Sequence, residues 1–218
     1  MNFFETLNKE SFSWVLNGSP TPMPHSLKIL TIMQYLAASK YEVFIETGTL
    51  RGDTVEAISQ FFDCKIYTIE LSDELYEKAT LKFKSNPNIE CIHGDSGEEI
   101  TKLLSEINVP CFFWLDAHFS GGITAKGKYT TTPIMAELLA IINHPIKNHL
   151  VLVDDIRNFE DPQKTHYPDP QVLIQMLRCY LPNIKITYFN DIMRIIPKEI
   201  KVSSNFNLSN LLEKTLSK

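Results

Sequence analysis

Between residues 43 and 154 one pattern recurs five times: a short apolar run that stops at an acid. Val43-Phe44-Ile45 runs into Glu46, Ile66–Leu71 contains Glu70, and Ile89–His93 is followed by Gly94-Asp95. Cys111–Leu115 stops at Asp116, and His149–Val153 stops at Asp154. A carboxylate is costly to bury unless it is paired, so acids seldom interrupt apolar strands. Their recurrence at strand ends therefore marks one edge of a sheet as polar.

Helical stretches separate the runs. Apolar spacing predicts helices over 53–62, over Asp73–Ser85 with Ser72 as N-cap, and from Ser96 to about Ile107. Two more are expected from Pro133 to Asn143, with proline in the first turn, and over Gln171–Tyr180. Strands that alternate with helices imply a parallel sheet covered on both faces, and unbroken apolar strands agree with that burial. Ile184–Phe189 and Ile192–Ile196 flank Asn190-Asp191 and read as a hairpin, which adds at least one antiparallel strand. Ahead of the sheet, Leu27, Leu30, Ile32, Met33 and Leu36 recur at helical spacing over Ser26–Ser39. Residues 1–24 read as a lead-in, with Phe3, Phe4, Phe12 and Trp14 as aromatic anchors and Pro20, Pro22 and Pro24 as breakers. The organisation is thus an N-terminal lead-in and helix (1–40), an α/β domain (41–198) and a polar C-terminal tail (199–218).

A length of 218 residues suits one domain with a sizeable core. The net charge of -5 argues against a broad nucleic-acid or anionic-membrane surface, since both need clustered Lys and Arg. No apolar run approaches the roughly 20 residues a bilayer requires, and the first residues lack a secretory pattern. Cys64, Cys91, Cys111 and Cys179 form no C-x-x-C pair, which fits a reduced, cytoplasmic setting. The expected partner is a small molecule, and the sequence leaves a homo-oligomer open.

The loop after the first run, Glu46-Thr47-Gly48-Thr49-Leu50-Arg51-Gly52, carries two glycines that permit a sharp turn and close approach to a ligand. A dinucleotide fingerprint would place glycines at positions 50 and 53, where Leu50 and Asp53 stand. Asp53 at a helix start would also repel a pyrophosphate, and no P-loop motif is present. A carboxylate ahead of such a loop suits a cationic ligand instead. Glu70, at the end of the second strand, is placed to accept ribose hydroxyls, and Asp95 and Ser96 are placed to reach a base. The competing reading is that these acids only cap the helices that follow.

These three segments resemble the three cofactor motifs of class I S-adenosylmethionine-dependent methyltransferases, over roughly residues 40–198. The resemblance implies a Rossmann-like, doubly wound, mostly parallel seven-stranded sheet with a C-terminal antiparallel hairpin and helices on both faces. It implies S-adenosylmethionine binding by Glu46, Thr47, Gly48, Thr49, Gly52, Glu70, Asp95, Ser96 and Asp116. Leu50 departs from the family pattern, which has glycine there.

A second constellation is Asp116, His118, Asp154 and Asp155. Oxygen-only clusters suit Mg²⁺ or a similar hard cation. The arrangement resembles the macrocin O-methyltransferase group and related cephalosporin hydroxylase-like proteins. That resemblance implies a divalent metal on Asp116, Asp154 and Asp155, with Asp116 also in the catalytic set. It gives His118, at the position of the family's acidic base, the role of general base. Imidazole titrates near neutrality, which suits the exchange. The structural alternatives are a strand-end turn for Asp154-Asp155 and a hydrogen-bonded loop residue for His118. The glycine-bearing loop Phe119–Thr132 reads as a lid or a solvated loop, and Tyr129 and the stretch Phe159–Tyr167 are candidate acceptor-site linings. The leading expectation is metal-assisted O-methylation of a small polyhydroxylated, sugar-like acceptor. Methylation of nitrogen or of a protein- or lipid-linked acceptor, and a non-catalytic cofactor-binding module, remain open.

Overall fold

A computed structural model describes residues 3–117, 132–160, 165 and 167–202. Among them seven strands form one sheet in the order β3-β2-β1-β4-β5-β7-β6. The strands are β1 (Val43–Thr47), β2 (Lys65–Glu70), β3 (Ile89–His93), β4 (Phe112–Leu115), β5 (Leu150–Val153), β6 (Ile184–Phe189) and β7 (Ile192–Pro197). β1 to β5 pair in parallel, while β7 runs antiparallel to both β5 and β6. The doubly wound sheet with a C-terminal antiparallel hairpin, expected from the sequence, is the fold the chain adopts. Asn190 and Asp191 both take positive φ, as a two-residue hairpin turn requires.

The helices are α1 (Phe3–Leu16), α2 (His25–Ser39), α3 (Asp53–Phe61), α4 (Asp73–Phe83), α5 (Ser96–Glu106), α6 (Ile134–Asn143) and α7 (Pro170–Tyr180), with a 3-10 turn over Ile156–Glu160. They lie in two layers. On one face Val43, Ile45, Phe113, Leu115, Val151 and Val153 pack with α5, α6 and α7. On the other, Phe44, Ile66, Phe112, Trp114, Leu150 and Leu152 pack with α2, α3 and α4. β1, β4 and β5 are buried along their whole length, as strands between two helical layers must be. The edge strands β3 and β6 are only partly covered. His93 stands on the β3 edge, with its Nε2 2.9 Å from Asp73 Oδ1.

The lead-in departs from expectation. Residues 3–16 hold no proline or glycine and form a helix, which ends ahead of Gly18 and Pro20. Phe12 is 68% exposed and is no anchor, whereas Trp14 Nε1 donates to the Pro20 carbonyl at 2.6 Å. α1 is tied to α2 by Ser26, whose hydroxyl donates to Glu10 at 2.6 Å.

At the amino-terminal edge of the sheet lies a buried histidine pair that the sequence spacing did not single out. His149 Nδ1 accepts from the Cys111 amide at 3.0 Å, so its Nε2 carries the proton and donates to His144 Nδ1 at 2.9 Å. His144 Nε2 then donates to the Ile107 carbonyl at 2.9 Å.

The sheet reverses its winding between β1 and β4, and there the two strand ends meet closely. Gly48 has φ +84°, and a Cβ at this position would stand 2.7 Å from the Asp116 carbonyl oxygen. The atoms it would meet, from Asp116 and Ala117, are all backbone and do not yield easily. Gly48→Ala is therefore expected to lower the unfolding free energy by about 2 kcal/mol or more, from left-handed strain plus overpacking. Urea denaturation checks this, and an unchanged midpoint would mean the seam tolerates a methyl group.

Candidate active site

Side chains alternate between the two faces of a strand. Glu46 shares parity with Phe44, and Glu70 with Ile66 and Thr68. Asp116 and Asp154 continue the parity of Trp114 and Leu152. Four strand-end acids thus emerge on the same side of the sheet, the side of α2 and α3. Adjacent strands in register then bring neighbours together: Glu46 pairs with Thr68 across β1 and β2, and Thr68 Oγ1 donates to Glu46 Oε2 at 2.7 Å. Thr49 and Thr68 share a hydrogen bond of 2.5 Å. Burial pushes the Glu46 carboxyl up to about 8, against the hydroxyls of Thr68 and Thr54, so it is largely protonated at neutral pH.

Glu70 organises the first loop. Its Oε2 accepts from the Leu50 amide at 2.8 Å and its Oε1 from the Ser72 amide at 2.9 Å. Leu50 takes φ +50°, the left-handed conformation the family pattern assigns to glycine, with its side chain turned outward and exposed. Gly52, also left-handed, precedes α3, and Asp53 opens that helix. Two backbone bonds leave a carboxylate about two further lone-pair positions, so Glu70 keeps capacity for hydroxyl donors.

Asp95 is the N-cap of α5 and accepts from Gly97 at 3.0 Å, as the capping reading expected. Ser96 is buried, and its hydroxyl donates to Glu137 of α6 at 2.6 Å rather than standing uncommitted toward a base. Glu137 is only 1% exposed, and burial pushes it up to about 7 against the Ser96 and Thr47 hydroxyls. The buried Thr47 hydroxyl stands near it without a hydrogen bond of good geometry among the described residues. Glu137 also lines a small cavity with Asp116, Thr132, Asp154 and Tyr167. Sequence reasoning missed Glu137; the signal was an acid on the inner stripe of an otherwise apolar helix.

The carboxylates after β5 meet a partner the sequence reading did not name. Lys28 of α2 is buried, and its Nζ lies 2.5 Å from Asp154 Oδ2 and 3.3 Å from Asp155 Oδ1. Burial alone would strip its proton, but Asp154, Asp155 and Asp116 outweigh that effect and hold the ammonium above its ordinary range. Burial and the Asp116 charge push the Asp154 carboxyl upward in turn. With two carboxylates facing one amine, we place the shared proton on Lys28. Asp155, at φ +57°, also takes Arg157 at 2.6 Å, and Arg157 bonds Asp191 of the β6–β7 turn.

The acids of the expected metal centre meet a cation of the chain itself. Asp116, Asp154 and Asp155 do gather at one edge, but the cation set among them is an ammonium of the chain itself. Among the described residues no group of three His, Cys, Asp or Glu side chains is arranged to hold a metal ion. The donor set does not fit a divalent cation while Lys28 holds two of the three carboxylates.

The expected base His118 and the expected lining Tyr129 lie outside the described residues, as does most of the loop 119–132. Of the other expected linings, Phe159 is buried in the core against Tyr167, at 4.7 Å between ring centres, and Tyr167 faces the cavity. Among the described residues no helix is long and apolar enough to cross a membrane.

No protein-family model and no curated protein matches this chain. Solved structures do. An O-methyltransferase from Bacillus cereus in complex with SAH is 15% identical, with TM-score 0.57, covering 88% of this chain and 90% of that one. The O-methyltransferase TomG from Streptomyces achromogenes, in complex with SAM, is 14% identical with TM-score 0.54, covering 88% and 90%. The SAH-bound Podospora anserina methyltransferase PaMTH1 is 15% identical with TM-score 0.55, covering 82% and 81%. At such identities the likeness is one of fold: the chain has the Rossmann-like fold of class I methyltransferases.

The buried carboxyls make stability depend on pH. Glu137 and Glu46 bind protons more tightly folded than unfolded, so their contribution is complete below about 4.5 and declines as pH rises toward about 7 and 8. Glu137→Gln cannot ionise. Its urea midpoint is expected to fall less than the wild type's between pH 5 and pH 8, and parallel curves would show that Glu137 does not titrate with folding.

Proposed function

We propose that this chain is an S-adenosylmethionine-dependent methyltransferase acting on a hydroxyl of a small polyhydroxylated acceptor. One observation carries the reading: strand-end acids of matching parity converge at the β1–β4 reversal, where Gly48 brings the first loop against the end of β4. Open α/β sheets bind ligands at such a reversal, beyond the carboxyl ends of their strands. S-adenosylmethionine supplies an electrophilic methyl group on a sulfonium centre.

The residues present suit that ligand. Glu70 is preorganised by two backbone amides and would take the ribose hydroxyls. Asp95, fixed as a helix cap, would face the base. Glu46, Thr47, Gly48, Thr49 and Gly52 would surround the methionine end, where a nearby cation would favour the charged form of Glu46. Ser96 would act through Glu137, which it orients. Asp116 lines the small cavity with Asp154 and Tyr167, and these polar groups would face an acceptor rich in hydroxyls. His118, two residues beyond Asp116, would remove the proton from the acceptor hydroxyl.

Calorimetry tests the cofactor half. The wild-type chain is expected to bind S-adenosylmethionine, and Glu70→Gln to weaken it by about 10- to 100-fold, the loss expected of charge-assisted hydrogen bonds. Unaltered affinity would reject Glu70 as the ribose ligand. For the chemistry, His118→Ala is expected to lower kcat while leaving cofactor affinity within about twofold, well under the tenfold that 1.4 kcal/mol represents. Normal turnover in that variant would eliminate His118 as base. Cofactor binding with no turnover across a broad acceptor panel would favour a non-catalytic module.

A further inference from the structure

We infer that Lys28 is the resident cation of the acceptor site and stands in place of a divalent metal, so that the carboxylate cluster after β4 and β5 takes no metal ion. The geometry carries this. The ammonium lies 2.5 Å from Asp154 and 3.3 Å from Asp155, and its side chain is buried with them. A hard cation binding these carboxylates would have to share them with Lys28, which already offsets part of their negative charge. It would also have to sit beside a positive charge with little water between them, which is strongly unfavourable in a buried site.

The helix that carries Lys28 is fixed against the sheet. It is anchored by Ile29, Ile32, Met33 and Leu36, which pack against the sheet on the same face as Phe112 and Trp114. The other end of the cluster is closed as well: Arg157 holds Asp155 at 2.6 Å and bonds Asp191. The chain thus supplies two cations to three carboxylates, Asp154, Asp155 and Asp191, from elements fixed by the core.

The consequence for catalysis rests on the methyl-transfer reading above. An ammonium has three N–H donors, of which Asp154 and Asp155 take two. The third is uncommitted among the described residues and would hold an acceptor oxygen, a task a metal performs elsewhere. Lys28 is a positioning residue under this inference, since it moves no proton and carries no methyl group.

Manganese titration of the full-length chain, stripped with EDTA and followed by the paramagnetic resonance of free Mn²⁺, tests the inference apart from activity. The wild type is expected to show no site tighter than about 1 mM, the weak end of carboxylate sites. Lys28→Met removes the charge at similar length and is expected to gain one Mn²⁺ site at least about tenfold tighter, lost again when Asp154→Asn is added. One Mn²⁺ per wild-type chain, abolished by Asp154→Asn alone, overturns the inference, and so does a folded Lys28→Met chain that takes no Mn²⁺. If circular dichroism shows Lys28→Met unfolded, the wild-type titration decides by itself: silence supports the inference and a stoichiometric site overturns it. Calorimetry with S-adenosylmethionine on the same wild-type sample reads the methyl-transfer proposal separately, so failure of one is not mistaken for failure of the other.

Discussion

The close passage of the first loop over the end of β4 sets the geometry on which the site depends. The chain enters the sheet at its centre, builds outward through β2 to β3, then returns to the other flank of β1 for β4. The connections on the two flanks leave in opposite directions, and a crevice opens between them. Gly48 lets the two strand ends meet there: its left-handed backbone and missing Cβ allow the Asp116 carbonyl to stand where a methyl group would collide. The loop is held from the other side as well, since Gly48 donates to the Ile69 carbonyl at 2.9 Å and Leu50 to Glu70. A side chain at position 48 would push β1 and β4 apart at the reversal of the winding.

Gathering acids at one edge creates an electrostatic problem, and the chain solves it differently at each strand. Glu46 keeps its proton and takes hydroxyl bonds. Glu70 is stabilised by two backbone amides, and Asp95 by the amino end of α5. Asp154 and Asp155 are met by Lys28 and Arg157. The capping and ligand readings of these acids are therefore compatible. A carboxylate bound to one or two amides is fixed in orientation and still has lone pairs to offer. Structural bonds of this kind preorganise a site rather than exhaust it.

Much of this could be read from the sequence, because period and punctuation are local. The five apolar runs, the hairpin around Asn190-Asp191 and the caps Ser72 and Asp95 all follow from residues near one another in the chain. The shared face of the acids is also a local property, since alternation from Phe44 to Glu46 or from Leu152 to Asp154 fixes it. The misses are of another kind. Helix α1 went unread because an aromatic-rich start without caps gives weak signals. Ser96 reads locally as a ligand group, but its hydroxyl is committed to Glu137, 41 residues away. Lys28 was hidden because its role depends on carboxylates 126 and 127 residues further on. A trace was present: positions 28, 29, 32, 33 and 36 form one helical stripe, and a lysine inside it asks for a buried partner.

The identity of that cation changes how the N-terminal segment should be regarded. A metal would bind after folding and could be withdrawn without disturbing the chain. An ammonium on α2 is installed by folding, so the acidic edge forms only if α2 is docked. α2 is in turn braced by α1 through Glu10 and Ser26. Removing one member of a buried ion pair typically costs about 3–5 kcal/mol, because the remaining charge loses both water and partner. Here Asp154 would be stranded beside Asp116, whose charge raises the penalty, while Asp155 would keep Arg157. Through Lys28, α2 is thus an electrostatic part of this edge. The docking of α2 and the charge balance of the acidic edge are linked through Lys28.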